Sequence, residues 1–525
     1  MGIPSNYDDL PMGWVGDVIG RRAMSNRDRE ALYDAATNSR FTFGELNQRA
    51  NSTATYLVDV LGMKKGDRLC LLCRNRLEAV DLFFACSKVG IILSPLSYHL
   101  QKPELEELMV RIQPCMLVYE DIFAEMVGNW ILPSSVEHKI ELSDSSDSFF
   151  QQEVLSTPPR ADIKTDLAMN DTQMYIHTGG TTAVPKICII PYRQMVWNAF
   201  EVFIAASSGV GGVELRELLT FPFFHIGGWN VLNSTVYIGG VSIMMRDFDP
   251  DLLLDLIERE RLSHFGAVEA MLQFISANPK FADVSFEHLA GLTTAAAPCA
   301  KDVLKPFWDK GLMTNQAYGL TEAGPSDFTY LPQQWEMDEV QANSEKIGTP
   351  MFHTDYKIVN KETLEKVSRG SEGVLCLRSH HNFGGYLNDY WRTEKLFKDD
   401  GWIYTGDLAV EDQDGQVTIV GRADNMFISG GENVSPEEIE QVLKRHPSVA
   451  GTLAVGISDG KWGQVPVALV VLRPGFEATE DELVGYCKTQ LASYKVPTQI
   501  RFDNMLPLTG AGKLDRNALK KMFEE

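Results

Sequence analysis

The stretch TGGTTAVPK, residues Thr178 to Lys186, packs two glycines, three threonines, a proline and a lysine into nine positions. Backbone N–H groups in such a loop can turn inward and, with hydroxyls, form a nest for phosphate oxygens. Gly179 and Gly180 permit close backbone approach. Thr178, Thr181 and Thr182 carry the hydroxyls, Pro185 stiffens the exit, and Lys186 supplies a point charge. The GxxxxGK[ST] spacing of a Walker loop is absent, and on these residues alone a solvated turn between strands fits about as well.

Such a loop needs elements to hold it. MYIH before it and ICII after it read as strands, so the loop is expected between two strands. Elsewhere, apolar or β-branched runs (RLCLLC, CMLVYE, YIGGVSIMM) alternate with helical stretches such as PDLLLDLIERER, where Leu253, Leu256 and Ile257 share one face. That alternation predicts an α/β protein whose large N-terminal domain has parallel or mixed sheets with packed helices. A capping box at Thr42 and Glu45 starts one early helix. The chain, at 525 residues, is too long for one core. A boundary is expected near 421, giving domains 1–421 and 422–525, the second a small α+β unit. Its first helix is expected to start at Ser435, with Pro436 in the first position and Glu438 completing a second capping box.

The formal charge is −23, which disfavours nucleic acid and anionic lipid as partners. No apolar run is long enough for a membrane span and the first residues do not read as a signal peptide, so a cytoplasmic protein is expected. Among the eight cysteines, Cys70 and Cys73 sit in a strand-like apolar run and read as core thiols.

Six further motifs follow the loop in order: PFFHIGG (222–228), AAAPC (295–299), AYGLTE (317–322), GWIYTGD (401–407), GRADNMFISGGENVSPEEIE (421–440) and PLTGAGKLDR (507–516). Over essentially the whole chain this series resembles the ANL adenylate-forming superfamily, most closely its acyl-CoA synthetases. The resemblance implies an ATP-dependent carboxylic acid:CoA ligase that forms acyl-AMP and pyrophosphate, then acyl-CoA and AMP. ATP, Mg²⁺ and CoA are the implied cofactor and co-substrates. The loop would embrace the β,γ-phosphates through Thr178, Gly179, Gly180, Thr181, Thr182 and Lys186. Thr321 would lie near the α-phosphate and Glu322 would ligate Mg²⁺. Asp407 and Arg422 would hold the ribose, and Tyr318, Gly319 and Ala296-Ala297-Pro298 would line the adenine.

Lys513, between flexible Gly510 and Gly512, would neutralise charge between carboxylate and α-phosphate in the first step. For the second step the resemblance places a hinge at Asp424, Gly430 and Gly431 along the pantetheine, and His225 as a gate between acyl pocket and thiol entrance. Several positions depart from the usual loop: Gly179, Ala183 and Ile187 replace Ser, Gly and Gly, and Asn425 stands where an acid is usual beside the hinge. None removes a charge from the loop.

No acidic residue occurs between Phe221 and Asn233, which argues against an α-amino acid substrate. Gly319 stands where acetate-specific relatives close the pocket with Trp, so a longer or cyclic acyl group is expected. Phe223, Phe224, Trp229 and Met271 are candidate pocket walls. A medium or longer fatty acid is the first expectation, an aryl or alicyclic acid the second. The alternatives are an acyl-AMP ligase that loads a carrier protein and, in a different class, a non-catalytic nucleotide or acyl sensor.

Overall fold

The structure, a computed structural model, describes residues 6–178, 185–209, 214–295, 299, 301–332, 336–423, 425–507 and 515–524. Among these residues the strands form four sheets. One sheet runs in the order His138–Leu142, Met116–Glu120, Arg68–Leu72, Ile92–Pro95, β1 (Thr172–Thr178) and β2 (Lys186–Pro191). Its strands are parallel except for the antiparallel pair β1–β2. A parallel sheet is covered on both faces, which is why Arg68–Leu72 reads as a continuous apolar run. Cys70 and Cys73 are buried there as core thiols, and burial pushes both far above the usual thiol range. Helix α1 (Lys102–Ile112) lies between two of these strands in the chain.

Directly after β2 the chain turns into α2 (Tyr192–Gly209). A second, nine-stranded sheet places β3 (Thr314–Tyr318) near one edge, and α3 (Ile226–Ile238) leads into its strand Val241–Met244. Between these lies helix Pro250–Arg259, which buries Leu253, Leu256 and Ile257 as the periodicity predicts. The third sheet contains β4 (Trp402–Glu411) paired with β5 (Val417–Arg422). At the N-terminal end of the molecule, the capping box forms as expected: Glu45 N–H donates to Thr42 Oγ1 at 3.2 Å and Thr42 N–H to Glu45 Oε2 at 2.8 Å. Such a cap contributes about 1 kcal/mol.

The smaller C-terminal domain is built on a fourth sheet, with β6 (Phe427–Ser429), β7 (Glu432–Val434) and the long antiparallel pair Val449–Asp459 and Gly463–Leu472. Alternate residues of a strand face opposite sides. Ala454, Ala468 and Val470 pack under α4 (Pro436–Arg445) and helix Glu480–Gln490, while Leu453, Val455, Val467 and Leu469 pack against Leu519 and Phe523 of the last helix. Pro436 does open α4. The second expected capping box does not form, because Glu438 turns its carboxylate to Lys495 at 2.7 Å instead of back to the helix start. No described helix is long and apolar enough to cross a membrane.

Candidate active site

The Gly/Thr loop is the connection between β1 and β2, closed at its base by the register pair Thr178 and Lys186. Its exit is braced where Arg111 Nη1 donates to the Pro185 carbonyl at 2.8 Å. Lys186 Nζ lies 5.2 Å from the centre of the Tyr386 ring, close enough for a cation–π contact. The hydroxyl of Tyr386 donates to Glu322 Oε1 at 2.7 Å, so one tyrosine links the loop lysine to the carboxylate of AYGLTE. Glu322 is further fixed through its backbone, whose carbonyl accepts from Phe383 N–H at 2.9 Å.

A similar pairing holds the other carboxylate. Tyr318, at the end of β3, donates its hydroxyl to Asp407 Oδ2 at 2.5 Å. Asp407 is buried in β4, opposite Arg422 of β5 in register, and takes its backbone anchor from Thr405 Oγ1 at 3.0 Å. Burial first, then the Asp407 charge, hold the Tyr318 phenol well above its ordinary range, so it stays a neutral donor. In both pairs a neutral hydroxyl orients a carboxylate without cancelling its charge.

A third group comes from the C-terminal domain. Ser429 pairs with Glu432 across a two-residue turn whose residues, Gly430 and Gly431, have φ of +59° and +86°. Both angles are positive, as a type I′ hairpin turn demands, and glycine meets that demand without strain. A Cβ on Gly431 would touch Val268 of the large domain at 3.4 Å. The turn borders a cavity of about 230 Å³ also lined by Val268, Lys461 and Trp462.

Glu432 then reaches the large domain. Its Oε1 lies 2.8 Å from His225 Nε2. Burial alone would lower the His225 imidazole; the Glu432 carboxylate outweighs that and raises it. Burial alone would raise Glu432, and His225 pulls it below the ordinary carboxylate range. His177 is neutral, pushed down to about 3 chiefly by burial, and its Nε2 accepts from Ser97 N–H at 3.0 Å. A second cross-domain contact is fully buried. Lys495 Nζ lies 3.0 Å from Glu104 Oε1 of α1 and 2.7 Å from Glu438 Oε1 of α4.

The candidate residues divide accordingly. Thr178, Lys186, Tyr318, Gly319, Thr321, Glu322 and Asp407 are carried by β1, β2, β3, the turn after β3, and β4. His225, Gly430 and Gly431 meet at the domain junction. Gly179, Gly180, Thr181, Thr182, Ala296, Ala297, Pro298, Asp424 and Lys513 lie outside the described residues, as does the side chain of Arg422. The candidate pocket residues pack as follows. Phe223 and Trp229 stack on one another at 4.2 Å, with Phe83 on the other side of Trp229 at 4.8 Å, so their faces belong to the core. Phe224 is likewise buried, edge-on to Tyr98 at 5.0 Å. A Cβ on Gly319 would fall 1.7 Å from the Pro325 carbonyl, so close backbone approach requires glycine at that position. Met271 packs against the core that contains Leu253, Leu256 and Ile257.

Sequence reasoning missed Tyr386, Glu432, Lys495 and Glu104. Glu432 stands inside a motif already singled out, next to the two glycines, and a lysine inside the run LASYKVP was the available signal for Lys495.

The chain belongs to the AMP-binding enzyme family, which it matches over residues 19–387, with the AMP-binding enzyme C-terminal domain over 438–513. It is 30% identical to a feruloyl-CoA synthase from an Amycolatopsis species, over 97% of this chain and 99% of that protein. It is 27% identical to the long-chain-fatty-acid–CoA ligase FadD13 of Mycobacterium tuberculosis, over 97% and 98% respectively. Its fold superposes on the o-succinylbenzoate CoA synthetase MenE of Bacillus subtilis, solved with a product analogue, with a TM-score of 0.82, 26% identity and coverage of 96% and 98%.

Proposed function

We propose that this protein is an ATP-dependent carboxylic acid:CoA ligase. A carboxylate oxygen attacks the α-phosphorus of ATP, the bond to the β-phosphate oxygen breaks, and pyrophosphate leaves. The CoA sulfur then attacks the acyl carbon, and AMP leaves. The observations that support this reading are two carboxylates, Glu322 and Asp407, each oriented by a tyrosine hydroxyl, and a glycine turn of the C-terminal domain whose neighbour Glu432 pairs with His225 of the large domain.

In this reading Thr178, Gly179, Gly180, Thr181, Thr182 and Lys186 bind the β,γ-phosphates, and Thr321 the α-phosphate. Asp407 and Arg422 hold the ribose; Tyr318 and Ala296-Ala297-Pro298 border the adenine. Among the described residues no cluster of three metal-ligating side chains exists. That suits Mg²⁺, which is commonly held by one or two carboxylates together with substrate phosphates and water. Glu322 would hold it, and the ion would supply charge neutralisation at the phosphates. The domains divide near residue 421 and hinge at Asp424. Lys513 serves adenylation, and Gly430 and Gly431 flank the pantetheine arm with His225 as the gate. The protein acts in the cytoplasm.

The test is carboxylate-dependent ATP–pyrophosphate exchange. Lys513→Ala is expected to abolish exchange while sparing thioester formation from supplied acyl-adenylate. Unchanged exchange in that variant would remove Lys513 from the first step.

A further inference from the structure

None of the chemistry-bearing motifs contributes to a cavity of about 450 Å³ lined by Glu214, Arg216, Arg259, Glu260, Arg261 and His288. It lies where two neighbouring parallel strands begin, Arg216–Leu219 and His264–Ala267. The far ends of those strands lead to His225 and to Val268, which borders the glycine turn. The cavity and the domain junction therefore sit at opposite ends of the same strands.

The carboxylates of the cavity are already paired. Glu260 is buried and takes Arg40 Nη2 at 2.8 Å and Arg216 Nη2 at 3.0 Å. Glu30, behind the wall, pairs with Arg40 and accepts from Arg216 Nη1 at 3.1 Å. Glu214 accepts from Arg29 Nη2 at 2.9 Å. The backbone is satisfied as well. Arg216 Nε donates to the Glu260 carbonyl at 2.6 Å, and the N–H groups of Arg261 and Leu262 close the helix-end carbonyls of Glu258 and Ile257.

What is left over is positive. Arg259 donates Nη2 to the Tyr33 hydroxyl at 3.1 Å and holds Nε 3.5 Å from Glu260, which leaves Nη1. Arg261 is exposed and has no side-chain acceptor among the described residues. Its φ is +49°, the left-handed position in which a helix usually ends on glycine or asparagine. Half-buried His288 meets the exposed Glu287 at 3.4 Å. Five guanidiniums, of Arg29, Arg40, Arg216, Arg259 and Arg261, thus face three carboxylates, of Glu30, Glu214 and Glu260, on a chain whose formal charge is −23.

Like charges gathered in one cavity repel unless an anion sits among them. A carboxylate fills one guanidinium fork with its two oxygens. A phosphate monoester has three terminal oxygens and nearly two charges at neutral pH, so it can accept from Arg259 and Arg261 together.

We propose that this cavity is a second ligand site, separate from the nucleotide site, for a small soluble phosphate monoester. Arg259 and Arg261 bind the phosphate, and Arg216, fixed by Glu30 and Glu260, adds charge from the strand. The negative charge of the whole chain disfavours an anionic bilayer at this surface, so the ligand is a soluble ester rather than a lipid head group.

The test titrates glycerol 3-phosphate into the purified protein by calorimetry, with the nucleotide site first filled by α,β-methylene-ATP. Glycerol and acetate serve as the uncharged and the carboxylate probe. One ester is expected to bind per chain with a Kd of about 1 mM or tighter, and the two other probes at least tenfold more weakly. Arg259→Ala and Arg261→Ala should each weaken the ester about tenfold. Arg261→Lys should weaken it less, because the charge persists while the fork is lost. Both side chains are exposed, so the variants fold as the wild type does. No binding of the ester to the wild type, acetate bound as tightly, or an affinity unchanged in both alanine variants overturns the proposal. Co-sedimentation with phosphatidic acid vesicles without binding of the soluble ester also overturns it, since a membrane would then be the ligand.

Discussion

The nucleotide side of the site and the domain junction use carboxylates in opposite ways. At the nucleotide side, Tyr386 and Tyr318 each give one neutral O–H bond to Glu322 and Asp407, at 2.7 and 2.5 Å, and leave the negative charge in place. At the junction, Glu432 and Glu104 meet cationic partners, His225 and the buried Lys495, on the opposite domain. A carboxylate that is to bind a cation or a diol must be oriented but not neutralised. A carboxylate that is to hold two domains in one orientation gains by pairing, because the contact exists only in that orientation. In the proposed reading the first pair serves ligand binding and the second domain placement.

The largest expected effect separates these two uses. Glu104 also closes the capping box of α1, where Gln101 N–H donates to its Oε2 at 2.9 Å, and glutamine serves that position as well. Glu104→Gln therefore removes the cross-domain charge and keeps the helix cap. Breaking a buried pair costs about 3–5 kcal/mol when the remaining charge is stranded. Here Lys495 retains Glu438, so a smaller loss is expected, roughly tenfold in thioester formation from acyl-adenylate. Pyrophosphate exchange, measured in parallel, should stay within a factor of two or so. An equal fall in both steps would show that the contact maintains the fold rather than the orientation.

A smaller effect is expected on the nucleotide side. Tyr386→Phe deletes one hydrogen bond to a charged group, worth about 1.5 kcal/mol. Exchange should drop roughly tenfold or less, mostly as a raised KM for ATP. An unaltered KM would mean that Glu322 is held by its backbone alone.

The smallest effect concerns pH. His225 has its pKa raised in the folded state, so its share of the junction is present below the ordinary imidazole value and is lost as pH rises through the raised one. Glu432 is lowered, so its share is lost only as pH falls through that lowered value. The pair holds between the two limits, and thioester formation should decline on the alkaline side while exchange follows a different profile. Glu432→Gln should remove that alkaline limb. A limb that persists in the variant would assign it to another group.

The sequence shows the chemistry-bearing positions more clearly than their partners. Thr178, Lys186, Tyr318 and Asp407 lie on or at the ends of strands whose apolar runs and flanking turns could be recognised locally. Glu104 and Lys495 are 391 residues apart, and Glu432 is 207 from His225. No local periodicity connects such pairs; they are set by the packing of segments distant in the chain. The aromatic residues of PFFHIGGW are ambiguous in the sequence for another reason. Phe223 and Trp229 neighbour a functional motif, but stacking and burial in the core need the same residue types as a pocket wall.

The central claim is tested most directly by incubating the purified protein with ATP, Mg²⁺, CoA and a panel of carboxylic acids while AMP and thioester are quantified together. The account predicts that at least one acid gives AMP and acyl-CoA in equal amounts, with pyrophosphate as the other product. AMP formed without any thioester would contradict it, and would make the second domain's glycine turn the seat of a different acceptor.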